Sequence, residues 1–229
     1  MTSIKFRSDM RVEMIDSYGS DVKVAQAARV STLGLDNDRE KFVGLIKALL
    51  SAKPAPHWSP FMHCGATFAI ECPLSTRSQI VTHSSLARSE FSMRYSLAKP
   101  EFHVPADDRP VHQVGRSLDY RLVHHVGAKE SAEYHLKASA LDSWGRYQKM
   151  LKAGVAKEVA RNCLPQSTYT TLWMTGSLRS WMSFDLVRND DHAQHEVNEV
   201  ARQVSQKLSE VFPVTWEAYR RSLVVGEAP

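Results

Sequence analysis

Six apolar residues, Val197, Val200, Ala201, Val204, Leu208 and Val211, recur at helical intervals ahead of Pro213. That spacing places them on one side of an α-helix, and a helix with one continuous apolar side needs that side covered. The stretch DDHAQHEVNEVARQVSQKLSEVF is therefore predicted to be a long helix lying on a core. Three other stretches have the β-branched and alternating character of strands: RVEMIDSYG, ATFAIECP and TYTTLWMT. Helical segments separate them, which predicts an α+β chain.

Those segments follow from spacing and punctuation. SDVKVAQAARVS starts on Ser-Asp, and residues 39–52 carry Phe42, Val43, Leu45, Ile46, Leu49 and Leu50 before Pro54 and Pro56 stop them. Pro73 opens a helix through LSTRSQIVTH, and Ser177 caps SLRSWMSFDLV. Residues 97–116, with three prolines, are predicted as loop, and residues 117–153 as a long helical region bearing Leu141, Trp144, Tyr147 and Leu151. VAKEVARNCLP reads as a short helix ended by Pro165. With 229 residues, 43% of them hydrophobic, and no repeat or low-complexity linker, the expectation is a single domain over 1–229.

A net charge of +4 with no Lys/Arg run beyond two residues lacks the basic stripe of a nucleic-acid binder, and a small anionic ligand fits it better. Cys64, Cys72 and Cys163 form no CxxC pair, which favours reduced thiols in the cytosol. The start, MTSIKFRSDMRVEM, has no apolar signal-peptide core, and no segment has the length of a membrane span. These features predict a soluble, cytoplasmic protein.

Within THSSLARSEFSMRYS, residues 82–96, Glu90, Ser92 and Arg94 occupy every second position, so on an extended backbone all three point the same way. Arg29, Arg77, Arg94, Arg161, Arg179 and Arg188 lie in or beside apolar segments. Singly, each reads as a half-buried or paired structural residue; several converging forks would bind phosphate. His192, His195 and Glu196 have the i, i+3, i+4 spacing of helix-borne metal ligands but no further ligand motif, and no metal is expected. His57, His63 and His83 are acid–base candidates or structural histidines, and Cys163 is either a small buried residue or, if positive charge lowers its pKa, a nucleophile. GxGxxG, GxxxxGK[ST] and GxSxG are absent.

Six blocks occur in a recognisable order: AARVST, HWSPFMH, RSQIVTHS, SEFSMRYS, EVARNCLPQSTYT and LRSWMSFDLVRNDDHAQHEV. In this the chain resembles the flavin-dependent thymidylate synthases from about residue 11 to about residue 220. The resemblance implies an α/β-type α+β fold, with a central, mostly antiparallel sheet flanked by long helices. It also implies a homotetramer with shared active sites, and methylation of dUMP at C5 using methylenetetrahydrofolate, FAD and NADPH. Matching positions imply that Gln79, Ser92, Arg94 and Arg161 hold the phosphate, Glu90 accepts from the ribose, and Arg188 faces the base. Arg188, Ser92 and Cys163 are the catalytic candidates.

The cofactor side departs from the pattern. The family signature R-H-R, seven residues, then serine, followed by R-Y-S, reads here as Thr82, His83 and Ser84, then Ser92 and Arg94-Tyr95-Ser96. Met62, Ser177 and Ser183 also replace usual residues, leaving His57, Ser59, His83, Ser84, Ser177 and Arg179 as cofactor-side candidates. Two lost charge-assisted contacts cost about 3 to 6 kcal/mol, so FAD binding is expected to be weakened or lost. Without the hydride of the flavin, water would close the reaction, which points to hydroxymethylation of dUMP or dCMP. The alternatives are FAD-dependent methylation of dUMP and a non-catalytic pyrimidine nucleotide-binding protein.

Overall fold

The computed structural model describes residues 3–30, 39–116 and 119–225. In chain order the first elements are β1 (Lys5–Arg7), β2 (Arg11–Tyr18), α1 (Asp21–Arg29), α2 (Arg39–Ser51), β3 (Gly65–Pro73) and α3 (Leu74–Ile80). There follow β4 (Ala87–Glu90), β5 (Glu101–His103), β6 (His112–Arg116), β7 (Asp119–Val123), α4 (Val126–Lys152) and α5 (Lys157–Ala160). The chain continues through β8 (Tyr169–Ser177), α6 (Leu178–Arg188), α7 (His195–Val211) and α8 (Pro213–Val225). An antiparallel sheet of order β2-β3-β8-β4 is central; β1 pairs in parallel with β5, and β6 forms an antiparallel hairpin with β7. The expected fold class, a mixed chain with an antiparallel central sheet, is thus the one found.

Two compact units interleave along the sequence. The first comprises Met1–Met10, Glu71–Ser78 and Glu90–Thr171. Its core gathers Met93, Phe102, Ala140, Trp144, Tyr147 and Leu164, with Trp144 edge-on to Phe102 at 6.2 Å between ring centroids. The buried Tyr147 hydroxyl is satisfied by accepting the Ala98 N–H at 3.1 Å. Arg7 donates to Asp9 at 2.8 and 2.9 Å and to Glu101 at 2.8 Å, pairs with Glu71 at 2.9 Å, and lies over the Tyr169 ring at 4.4 Å. Those contacts fasten β1 to residues of β3, β5 and β8.

The second unit comprises Arg11–Ile70, Gln79–Ser89 and Leu172–Pro229. Alternation along β3 buries Ala66, Phe68 and Ile70, and Phe68 meets Trp181 of α6 edge-on at 4.9 Å. The Trp181 indole N–H donates to the Ala66 carbonyl at 3.0 Å. The apolar side of α7 is fully buried at Val197, Val200, Ala201, Val204 and Leu208, as the spacing predicts. Ser20 caps α1, and Ser177 caps α6 through the Ser180 N–H at 3.2 Å.

Several boundaries differ from expectation. The loop predicted over 97–116 contains β5 and β6, and the helix predicted from 117 starts at Val126 because β7 pairs back on β6. Strands of three to five residues are too short to leave a reliable periodic signal. Leu141, assigned to the apolar face, is 51% exposed, and α7 starts at His195 because the Asp190 carboxylate holds residues 190–192 in a turn. Ser31 and Thr32 of the AARVST block and the first two residues of the 117–153 segment lie outside the described residues.

One buried acid carries a structural load in the second unit. The Asp21 carboxylate of α1 accepts the Val214 N–H at 3.0 Å and the Thr215 N–H at 2.9 Å, capping α8 from another helix. Asp21→Ala leaves both donors without this partner, and chemical denaturation is expected to show a loss of about 1 to 3 kcal/mol.

Candidate functional site

The sequence candidates fall in both units, and each group stands on its own geometry. In the first unit, β4 ends at Glu90, and the chain then turns. The Ser92 Oγ accepts the Arg94 N–H at 3.3 Å, while the Ser92 carbonyl accepts from Tyr95 and Ser96 at 3.1 and 3.0 Å. The extended alternation expected through Glu90, Ser92 and Arg94 therefore stops after the first of them. A serine able to bond the backbone two residues on favours such a turn over a strand.

Lys157 fastens this turn to α5 by donating to the Tyr95 carbonyl at 2.8 Å, and the Arg94 guanidinium donates to Glu158 at 3.1 Å. Arg161 follows α5 directly, in the 3₁₀ turn Arg161–Cys163. The two phosphate-clamp candidates are thus carried on a turn and a short helix that bond to each other. Cys163 also lies in that turn. Its thiol donates to the Ala160 carbonyl at 3.2 Å, and burial pushes its pKa up rather than down, so the condition for a thiolate nucleophile is not met.

Glu90 is already engaged. Arg77 of α3 donates to its Oε2 from Nε at 2.9 Å and also from Nη2, and the Thr170 hydroxyl donates to its Oε1 at 3.2 Å. From sequence, Arg77 taken singly reads as a half-buried or paired structural residue, which this ion pair bears out, while Thr170 was assigned no role.

In the second unit, Arg188 closes α6 and its guanidinium grips the turn after α3. Nε donates to His83 Nε2 at 2.9 Å, and Nη2 donates to the Gln79 carbonyl at 3.1 Å and to the Thr82 hydroxyl at 2.9 Å. Nη1 reaches Gln79 Oε1 at 3.5 Å. Gln79, Thr82, His83 and Arg188 therefore form one cluster. Burial and, secondarily, the Arg188 charge hold His83 below its ordinary pKa. The ring is thereby kept as the neutral acceptor that this bond requires.

Of the remaining cofactor-side candidates, Arg179 lines a cavity of about 460 Å³, together with Trp58, Ser85, Ser183, Leu186 and Tyr219 among others. Arg179 stacks over the Trp58 ring at 4.9 Å. His57, Ser59 and Ser84 are exposed, while the Ser177 hydroxyl is occupied in capping α6. Trp58 was not singled out from sequence, although it stands inside the HWSPFMH block. His192 precedes α7 and pairs with Asp190 at 3.0 Å, so it does not share a helix face with His195 and Glu196. No set of three or more His, Cys, Asp or Glu able to hold a metal occurs among the described residues, and none of their helices is long and apolar enough to cross a membrane.

Comparison with known proteins bears on both groups. The family model described as thymidylate synthase complementing protein matches residues 13–214. The flavin-dependent thymidylate synthase of Streptomyces avermitilis is 32% identical over 229 residues, covering 93% of this chain and 92% of that protein. The one from Thermosipho melanesiensis is 34% identical over 208 residues, covering 91% and 89% respectively. Among solved structures, the UMP/dUMP methylase PolB from Streptomyces cacaoi, bound with 5-Br UMP, superposes with a TM-score of 0.88 at 34% identity. That match covers 95% of this chain and 96% of PolB. The chain belongs to the family of thymidylate synthase complementing proteins, the flavin-dependent thymidylate synthases.

Proposed function

We propose that the protein transfers a one-carbon unit from methylenetetrahydrofolate to C5 of a pyrimidine nucleoside monophosphate, with dUMP as first substrate. The observation that carries this reading is the complete nucleotide-side set, Gln79, Glu90, Ser92, Arg94, Arg161 and Arg188, in a member of this family. Support also comes from PolB, a UMP/dUMP methylase of the same fold. Arg94 and Arg161 clamp the phosphate with Ser92. The Arg94–Glu158 pair is about half exposed on each side, so releasing the fork to a phosphate costs little. Glu90 accepts from the sugar. Arg188, its fork already fixed by His83, Gln79 and Thr82, stabilises negative charge drawn onto the base as C5 becomes nucleophilic.

The cavity at Arg179 fits a flavin in part: an aromatic ring, one guanidinium and serine hydroxyls suit a flat cofactor carrying phosphate. Of the cofactor-side candidates, Arg179 lines this cavity and would hold a flavin there, whereas His57, Ser59, His83, Ser84 and Ser177 stand outside its lining. A flavin bound there supplies the hydride that completes a methyl group. One observation favours a second reading. Thr82, standing where the signature has arginine, spends its hydroxyl inside the fold, donating to the Gln79 carbonyl at 2.7 Å and accepting from Arg188. With that charge gone the cofactor is held less firmly, and water addition to the C5 methylene gives the hydroxymethyl product on dUMP or dCMP. In either reading the whole chain works as one cytoplasmic domain within a homotetramer whose active sites are shared.

Incubation with dUMP or dCMP and methylenetetrahydrofolate, with and without FAD and NADPH, distinguishes these outcomes by product mass. A C5-methyl or C5-hydroxymethyl nucleotide is expected, the methyl product only with flavin and reductant. Nucleotide binding with no folate-dependent product in any mixture would overturn the proposal.

Two further outcomes are expected. Cys163→Ser retains turnover in the same assay, because the thiol is held protonated against a carbonyl. For His83, the folded pKa lies below its ordinary 6.5, so its contribution to stability is present above that value and is lost as pH falls through the folded pKa. Thermal unfolding of the wild type is expected to weaken more steeply with acid below pH 6.5 than that of His83→Gln.

A further inference from the structure

An ionised carboxylate offers about four acceptor positions, two on each oxygen. At Glu90 three are filled from within the first unit: Arg77 Nε and Nη2 both donate to Oε2, and the Thr170 hydroxyl donates to Oε1. One position on Oε1 is left, among the described residues. The Glu90 side chain is 25% exposed, so that position is within reach of a ligand.

We infer that Arg77 and Thr170 set the sugar specificity of the nucleotide site by filling acceptor positions of Glu90. This rests on the proposal that Glu90 accepts from the nucleotide sugar. A carboxylate with both oxygens open takes a vicinal diol in bidentate fashion, one hydroxyl to each oxygen. Glu90 has Oε2 closed by the planar guanidinium of Arg77, whose Nε and Nη2 donors converge on that one oxygen. It accepts a single hydroxyl. A 2′-deoxyribose has just one hydroxyl on that edge and is fully served, whereas the second hydroxyl of a ribose finds no acceptor here. Arg77 and Thr170 are thus specificity-determining residues that act through Glu90 without touching the substrate.

Calorimetric titration of the purified full-length protein with dUMP and UMP tests this in the wild type, Arg77→Met, Thr170→Val and Glu90→Gln. The two nucleotides share base and phosphate, so the change in net charge at Arg77 cancels in the ratio of their affinities. The wild type is expected to bind dUMP at least as tightly as UMP. Opening Oε2 in Arg77→Met is expected to raise affinity for UMP relative to dUMP by about tenfold, the worth of one hydrogen bond to a charged acceptor. Thr170→Val, which keeps every charge, shifts the ratio in the same direction and serves if Arg77→Met does not fold. A rise in the ratio in either folded variant supports the inference. An unchanged ratio in the folded variants, with Glu90→Gln weakening both nucleotides, overturns the inference and leaves Glu90 as a sugar contact. Glu90→Gln without effect on either nucleotide is a different failure, because it removes Glu90 from the site altogether.

Discussion

The grip of Arg188 on the turn after α3 organises the second unit's share of the candidate chemistry. One guanidinium reaches a ring nitrogen, a side-chain amide oxygen, a backbone carbonyl and a hydroxyl, all within residues 79–83. A planar fork with five fixed donors suits this many partners, and a lysine would not. The arrangement also constrains the titration of its neighbour, since His83 can serve as acceptor only while Nε2 is unprotonated. Thr82, a departure from the family signature, is one of the partners. Its hydroxyl is spent on internal support of that turn.

The same trade occurs around Glu90. A residue expected to meet a ligand directly is braced by Arg77 and Thr170, and its remaining capacity is what the site can use. The nucleotide-side residues keep their side-chain types while their surroundings set how much each can offer. In the second unit, Arg179 stacks on Trp58 beside a cavity of about 460 Å³.

Much of this was legible in the sequence wherever a signal repeats locally. The buried face of α7, the strand β3 and the Ser177 cap follow from spacing and capping chemistry alone. The family was legible because six blocks kept their order. The hairpin β6–β7 was not, because each strand is only five residues long and largely exposed, so neither an extended apolar pattern nor a core face marks it. Nor was the turn at Ser92–Ser96, where a side-chain bond to the backbone outweighs strand spacing. The partner of Arg77 and the role of Thr170 stayed hidden for another reason: both lie in contacts between separate segments, which no local pattern records.

The interleaving of the two units has a consequence for how the chain comes to be folded. Each unit is drawn from three separated stretches, and the second cannot be completed without residues beyond Leu172. During synthesis, Arg11–Ile70 emerges with its apolar faces awaiting α6, α7 and α8, which the ribosome delivers more than a hundred residues later. Contacts so far apart in sequence close slowly and leave sticky intermediates exposed in the meantime. Neither unit can be expressed alone by truncation, and rearranging the chain order would alter the route to the native state more than the state itself.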